Sequence, residues 1–213
     1  MTDKQRALAA VDAMKAAYPD ALCALDYTTP FQLLVATRLS AQCTDARVNL
    51  VTPALFAKYP TENELAEADL ADVEALIHSC GFYHGKARDL IGAAKTVRDV
   101  YHGALPDTVE ELTKLPGVGR KTANLIVGDV FHKPAVVTDT HVIRITNLLG
   151  LVKTKEPQKV ETALRKLLPP DESNDFCHRL VLHGRAVCVA RRPDCAACVM
   201  KGFCKHAERE KKA

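Results

Sequence analysis

The chain has 213 residues, of which 47% are hydrophobic and 26% are charged, so it has enough apolar surface to bury a core and is not an intrinsically disordered protein. No apolar run reaches membrane-spanning length and the polar start lacks the apolar core of a signal peptide, so we expect an intracellular protein with no membrane partner. The formal net charge of +3 conceals a segment, residues 177–213, with nine basic and three acidic residues, and this concentration of positive charge indicates a polyanionic partner.

Apolar residues recur at helical spacing along the whole chain, which predicts an all-α protein. Only residues 135–138 show an alternation that would suit a strand. Capping signals mark several helix starts, namely Thr29 before Pro30, Thr44 or Asp45, the Thr61–Glu64 capping box, Asp69 and Thr108. The predicted helices lie near residues 3–17, 84–101, 120–131, 140–149, 158–167 and 174–187. Five further helices are expected: one that opens at Pro30 and is interrupted at Leu39, one from Thr44 or Asp45 toward Tyr59, a short one after Thr61, one after Asp69 that Gly81 ends, and one after Thr108 that ends near Lys114.

The segment from Leu115 to Ala123 predicts two helices joined by a tight turn. Gly117 and Gly119 tolerate positive φ and have no Cβ, so the turn can be sharp and another molecule can closely approach its amides. The first N–H groups of the second helix lack intrahelical partners and lie at the positive end of its dipole, which favours phosphate binding. The alternative is a turn that only connects two helices.

Two residues near this turn could carry chemistry. Lys121 lies in the first turn of the second helix, where the dipole opposes a positive charge and favours the uncharged, nucleophilic amine; a solvated lysine is the alternative. Asp139 is the predicted N-cap of the helix over 140–149, and residues 132–139 can extend ~26 Å, enough to return it to the level of Lys121. A capping carboxylate is fixed in place, so the two roles are compatible.

Four of the eight cysteines lie near the C-terminus with the spacing C-x6-C-x2-C-x5-C: Cys188, Cys195, Cys198 and Cys204. Thiolates this close need a metal centre to neutralise their charge. Zinc sites with four cysteines usually combine two close pairs, and only one such pair occurs here, so one four-iron cluster is favoured and structural zinc is the alternative. The remaining cysteines, Cys23, Cys43, Cys80 and Cys177, are predicted to be small apolar fillers.

These motifs together resemble the endonuclease III family of helix-hairpin-helix DNA glycosylases with AP lyase activity. The resemblance rests on residues 115–124, on residues 137–141 and on the cysteine spacing, and residues 39–42 and 81–83 resemble DNA-facing loops of the family. It implies two helical domains flanking a DNA-binding cleft. One is a contiguous six-helix domain over residues 22–132, and the other, residues 1–21 plus 133–213, carries a [4Fe-4S] cluster on the four cysteines.

The resemblance also implies roles for individual residues. Lys121 would be the nucleophile and Asp139 the essential carboxylate, acting on a nucleotide flipped out of the duplex. Gln42 and Phe82 would fill the vacated space, although a core aromatic is the alternative for Phe82. The other implied DNA contacts are Gly117, Val118, Gly119, His141, Arg144 and Arg192; surface solvation is the alternative for His141 and Arg144.

The implied activity is excision of oxidised pyrimidines through a lysine Schiff base, followed by β-elimination that cleaves the strand 3′ to the abasic site, in base excision repair. The expected partner is double-stranded DNA with a damaged base or abasic site, bound by a monomer in the prokaryotic cytoplasm, associated with the nucleoid. One alternative is a mismatch adenine glycosylase, which would lack the catalytic lysine. Another is a non-enzymatic iron-sulfur protein that binds DNA or senses redox state.

Overall fold

The structure, a computed structural model, describes residues 1–21 and 23–210, and every regular element in these residues is a helix. The all-α prediction is therefore confirmed, and residues 135–138 have no regular secondary structure. The α-helices are α1 (Asp3–Ala17), α2 (Pro30–Leu39), α3 (Asp45–Lys58), α4 (Glu62–Ala66), α5 (Leu70–Ile77), α6 (Tyr83–Asp99), α7 (Val109–Leu112), α8 (Arg120–Asp129), α9 (Thr140–Leu149), α10 (Pro157–Leu167), α11 (Ser173–Ala186) and α12 (Lys205–Glu210).

Side-chain caps start most of these helices where the sequence predicts them. The Thr29 hydroxyl accepts from the Gln32 N–H, and Pro30 follows it as the first residue of α2. Thr61 and Glu64 form the predicted capping box of α4. The remaining predicted caps are also present, with Thr44 on α3, Asp69 on α5, Thr108 on α7 and Asp139 on α9.

Packing contacts divide the chain into two compact units, Ala24–Phe131 and Met1–Cys23 with His132–Ala213. The first unit contains α2 to α8, of which α4 and α7 are a single turn long. The domain limits of residues 22–132 and 1–21 plus 133–213 remain a prediction. Leu22, at the predicted boundary, lies outside the described residues.

In the unit of residues 24–131, α6 packs against α4, α5 and α2, and α8 packs against α2 and α7. Each helix turns its apolar stripe inward, and the fully buried side chains include Leu34, Leu55, Ile77, Leu112 and Ile126. Burial of a leucine or isoleucine side chain contributes about 1.5–3 kcal/mol, so this core fixes the helices on which the loops are mounted.

In the unit of residues 1–23 and 132–213, α11 packs against α9 and α1, and α1 also packs against α10. Met14, Ile145, Phe176 and Leu180 fill its core. The helix α12 packs against α9 and was not predicted, because its six residues carry too little apolar periodicity to be recognised. Lys211 and Lys212, the end of the basic tail, lie outside the described residues.

No helix among the described residues has the length and apolarity needed to cross a membrane.

Candidate active site and thiol-lined cavity

The turn before α8 is closed by its own backbone. The Val118 N–H donates to the Leu115 carbonyl oxygen at 3.1 Å, and Gly117 has φ +72°, so Pro116 and Gly117 occupy the central positions expected of a type II turn. Val118 is buried beneath the turn. Because its N–H is used within the turn, Val118 supports the turn from inside.

An ion pair lies directly against Gly117. Arg38 on α2 donates to Asp89 Oδ2 on α6 through Nε at 2.9 Å and through a terminal guanidinium nitrogen at 2.5 Å. A Cβ built on Gly117 would lie 2.6 Å from Arg38 Nε and 2.7 Å from Asp89 Cβ. The turn therefore packs directly on the Arg38–Asp89 pair, which we call the seat of the turn. Only glycine fits between the turn and this pair.

Gly119, unlike Gly117, does not use the positive φ that glycine tolerates. It is extended, with φ −87° and ψ 170°, and forms the N-cap of α8 without a side-chain hydrogen bond. A Cβ at this position would meet nothing within 4 Å. The N-terminus of α8 thus has open space in front of it, and Lys121 lies exposed in its first turn.

Asp139 has the predicted position at the start of α9. Its Oδ1 accepts from the Val142 N–H at 2.7 Å, and the side chain is half-buried. The segment before it is anchored by Ala135, Val136 and Val137, which are buried. The carboxylate is therefore held by a hydrogen bond on one side and by a buried segment on the other.

Three loops of the unit of residues 24–131 carry a non-glycine residue in the left-handed region, at Gln42, Phe82 and His102. Gln42, after α2, has φ +55°, and Phe82, before α6, has φ +50°. This conformation costs about 1–2 kcal/mol for an L-residue and tends to persist at functional sites. Gln42 is exposed and the Phe82 side chain is 71% exposed, so the core-aromatic alternative for Phe82 is wrong.

The four C-terminal cysteines line one cavity in the unit of residues 1–23 and 132–213. The rest of its wall is largely apolar and includes Ile145, Leu149 and Met200. Burial raises the pKa of the Cys188 and Cys198 thiols. Within the described residues, no three His, Cys, Asp or Glu side chains are gathered closely enough to hold a single metal ion, so the thiols are distributed around the wall.

Several polar groups contact the sulfur atoms. Arg144 donates to Cys188 Sγ at 3.5 Å, the Cys204 thiol donates to the Leu148 carbonyl oxygen at 3.6 Å, and His183 Nε2 lies 3.4 Å from Cys198 Sγ. Soft thiolate donors in an apolar pocket with N–H groups near the sulfur atoms suit an iron-sulfur cluster. The donor set therefore fits the cofactor that the cysteine spacing predicts.

The remaining predicted DNA-contacting residues lie near this cavity. Arg144 also bonds to His141 Nδ1 at 3.2 Å and to the Gly184 carbonyl oxygen at 3.5 Å, so it links α9 to the cysteine loop. Arg192 is exposed on that loop.

Sequence reasoning missed the Arg38–Asp89 seat. It also missed that Lys86, on α6, is buried. Both features depend on contacts between helices that are distant in sequence. The only available signal was a charged residue within the apolar pattern of α2 or α6.

Known proteins match the chain at both sites. Residues 35–170 match the HhH-GPD superfamily of base excision DNA repair proteins, and residues 188–204 match the iron-sulfur binding domain of endonuclease III. Endonuclease III of Synechocystis sp. is 48% identical over 206 residues, covering 96% of this chain and 94% of the relative. Endonuclease III of Bacillus subtilis is 40% identical over 196 residues, covering 92% and 90%.

Solved structures agree with these sequence matches. A trapped covalent intermediate of endonuclease III with DNA, an estranged-adenine complex, superposes with a TM-score of 0.92 at 40% identity and covers 99% of this chain and 100% of that chain. A non-covalent endonuclease III–DNA complex gives the same TM-score and identity and covers 100% of both chains.

Proposed function

Because the chain belongs to the HhH-GPD superfamily of base excision DNA repair proteins, and within it to the endonuclease III family, we propose that Lys121 is its catalytic nucleophile and Asp139 its essential carboxylate. The chain is a bifunctional DNA glycosylase and AP lyase of base excision repair, it binds DNA, and it contains a [4Fe-4S] cluster. The observation that carries the proposal is the exposed Lys121 side chain in the first turn of α8, directly after the glycine turn.

The chemistry follows from an amine and a carboxylate. The uncharged Lys121 Nζ attacks C1′ of the deoxyribose, a C–N bond to the enzyme forms, and the bond from C1′ to the base breaks. The C1′–O4′ bond then breaks, O4′ takes up a proton, and the opened sugar is left joined to Lys121 through C1′ as a Schiff base. Loss of a proton from C2′ and departure of the 3′ phosphate then cleave the strand by β-elimination, and hydrolysis of the Schiff base returns the free lysine.

Asp139 supports the first step in two ways. Its negative charge stabilises the positive charge that develops at the sugar as the base leaves, and it accepts the proton that the lysine loses. The hydrogen bond from the Val142 N–H holds Oδ1 in place, so the carboxylate does not have to be ordered during the reaction.

DNA binding is assigned to the glycine turn and to the basic C-terminal region. The amides of Gly117 and Gly119 and the N-terminus of α8 receive a phosphate, and Val118 keeps the turn in shape. His141, Arg144 and Arg192 add contacts near the cysteine loop. Affinity then falls steeply with salt, since each neutralised phosphate releases counterions.

The proposed substrate is an oxidised pyrimidine in double-stranded DNA, or the abasic site that remains after its removal. Gln42 and Phe82 fill the space left by the extrahelical nucleotide. Their exposure and left-handed backbone support this role. One copy of the chain acts alone, in the cytoplasm at the nucleoid.

The cluster is assigned to Cys188, Cys195, Cys198 and Cys204. When bound, it supplies a cross-link between four points of the cysteine loop. The loop then presents Arg191 and Arg192 in a fixed shape, which a short segment without regular structure would not keep alone.

Base release from matched duplexes tests the substrate. We expect the wild-type protein to release an oxidised pyrimidine and to cleave the strand 3′ to the site. It should not release adenine opposite 8-oxoguanine. The Lys121→Gln protein should not cleave the strand. Adenine release from the mismatch, without strand cleavage, would contradict the assignment. Gel analysis with and without alkali separates base release from strand cleavage.

A further inference from the structure

Lys86, in the first turn of α6, is a positively charged residue with unusual surroundings. Its side chain is only 1% exposed, whereas lysine is rarely buried without a partner. Its partners are not carboxylates: Nζ donates to the Leu39 carbonyl oxygen at 2.7 Å and to the Cys80 carbonyl oxygen at 2.9 Å. A buried ammonium held by two main-chain carbonyls needs a reason for its retention.

Both carbonyls belong to helix ends. Leu39 is the last residue of α2, and Cys80 is the last residue of the 3-10 turn that follows α5. Carbonyl groups at the C-terminus of a helix lack intrahelical partners and carry partial negative charge. Lys86 thus donates hydrogen bonds to the carbonyl groups at two helix ends and holds these ends next to each other.

Each of these carbonyls lies just before a loop residue with left-handed backbone. Gln42 follows Leu39 by three residues, and Phe82 follows Cys80 by two. At ~3.3 Å per residue, each side chain is anchored within about 10 Å of the ammonium along the chain. The side chains of Cys43 and Cys80 also hydrogen-bond to each other beside Lys86, so the two loops meet at this buried point.

We propose that Lys86 is a positioning residue that holds the Gln42 and Phe82 loops in one arrangement, so that both side chains enter the duplex together. Lys86 is buried and acts through the two loops that its hydrogen bonds join. The inference rests on the proposed function in one respect, namely that Gln42 and Phe82 fill the space left by the extrahelical nucleotide.

The hydrogen-bonding role of Lys86 does not depend on its charge. Burial lowers the pKa of Lys86, and the neighbouring Cys43 and Cys80 thiols act in the opposite direction. The hydrogen bonds to two carbonyls need only N–H donors. We call the two hydrogen bonds from Lys86 Nζ to the Leu39 and Cys80 carbonyls the Lys86 clamp, and it requires an amine at this buried position.

The Lys86→Met protein tests the proposal, with Lys95→Met as the matched control on the exposed face of the same helix. The first measurement is single-turnover base release from a duplex with 2-aminopurine opposite the damaged pyrimidine. We expect Lys86→Met to lose most of the fluorescence change and to release base about 10- to 100-fold more slowly, because misplaced groups cost this much. The second measurement is β-elimination at an abasic site in a single strand, which has no space to fill, and it should change less than about twofold.

Two outcomes would overturn the inference: equal slowing on the duplex and the single strand, or duplex kinetics equal to those of Lys95→Met. If Lys86→Met does not fold, Lys86→Gln replaces it in the same two measurements. Glutamine keeps two N–H donors on a shorter side chain, so we expect an intermediate slowing on the duplex. A mutant cycle adds a third reading. Lys86→Met should not slow a Gln42→Ala/Phe82→Ala protein further, whereas multiplied effects would show that Lys86 acts elsewhere.

Failure of the proposed function looks different from failure of this inference. If Lys121 is not the nucleophile, the Lys121→Gln protein still cleaves the single-stranded abasic site through a trappable intermediate. If Gln42 and Phe82 do not fill the duplex, the Gln42→Ala/Phe82→Ala protein retains the wild-type fluorescence change. If only the Lys86 clamp is wrong, that double variant is impaired while Lys86→Met is not.

Discussion

Asp139 combines a structural and a proposed chemical role in one side chain. The sequence predicts it as the N-cap of α9, and the hydrogen bond from the Val142 N–H confirms this. Ser, Thr, Asn and Asp all serve as caps, but only Asp carries a negative charge. A substitution can therefore remove the charge and keep the cap.

We expect Asp139→Asn to unfold at the wild-type temperature and to bind abasic DNA with wild-type affinity, while base release falls at least about 100-fold. Asp139→Ala should lose base release as well, and also about 1 kcal/mol of unfolding free energy because the cap is lost. Thermal melts and single-turnover rates measure the two effects separately. Unchanged base release by Asp139→Asn would remove the carboxylate from the mechanism.

Lys86 shows what single-residue reasoning misses. A lysine in a helix is expected to be solvated, and the sequence around it gives no sign of burial. Its burial results from the carbonyl of Leu39, 47 residues earlier, which only the packing of α2 on α6 brings near. Such a residue is predictable only once the helix arrangement is known.

Among the elements, the capped helices were the most predictable. Thr29 with Pro30, and Thr61 with Glu64, fix the starts of α2 and α4 through contacts within four residues. The seat of the glycine turn was not predictable in this way. It requires Arg38 and Asp89, which come from α2 and α6 and meet only in the folded unit.

Substitution of glycine in the turn tests this seat. Gly117→Ala should lower the unfolding free energy by about 1–3 kcal/mol, because the new Cβ would collide with the Arg38–Asp89 pair at positive φ. It should also weaken DNA binding, since the turn amides are displaced. Chemical unfolding and titration with a fluorescent duplex provide the measurements.

Gly85→Ala is the matched control for that substitution. Gly85 lies in α6, and a Cβ there meets nothing within 4 Å, so we expect about 0.5 kcal/mol of added stability and unchanged DNA affinity. Loss of stability in Gly85→Ala equal to that in Gly117→Ala would show that the seat has no special role.

At the scale of the whole molecule, positive charge and thiols occur in the same C-terminal segment. Residues 177–213 hold a net charge of +6, while the rest of the chain is net negative. The sequence predicted this asymmetry and the cysteine spacing without any structure. It could not predict that Arg144, on α9, would reach Cys188, because that contact joins residues 44 positions apart.

Removal of one proposed cluster ligand tests whether the cluster holds the basic C-terminal loop in the shape that binds DNA. We expect Cys198→Ser to lose iron and the brown colour, and to bind an abasic duplex about tenfold more weakly, with a lower slope of affinity against salt because fewer phosphates are contacted. Iron analysis and salt-dependent titrations measure both. Cys23→Ser is the control and should retain iron and affinity; full iron content in Cys198→Ser would contradict the ligand assignment.

Borohydride trapping on DNA with an abasic site is the most direct test of the central claim that the Lys121 amine forms the Schiff base. Reduction should attach the wild-type protein covalently to the DNA, and Lys114→Gln, an exposed lysine before the glycine turn, should trap as well as the wild type. Lys121→Gln should give no covalent complex while it still binds the same DNA. A Lys121→Gln complex formed in wild-type yield would contradict the account.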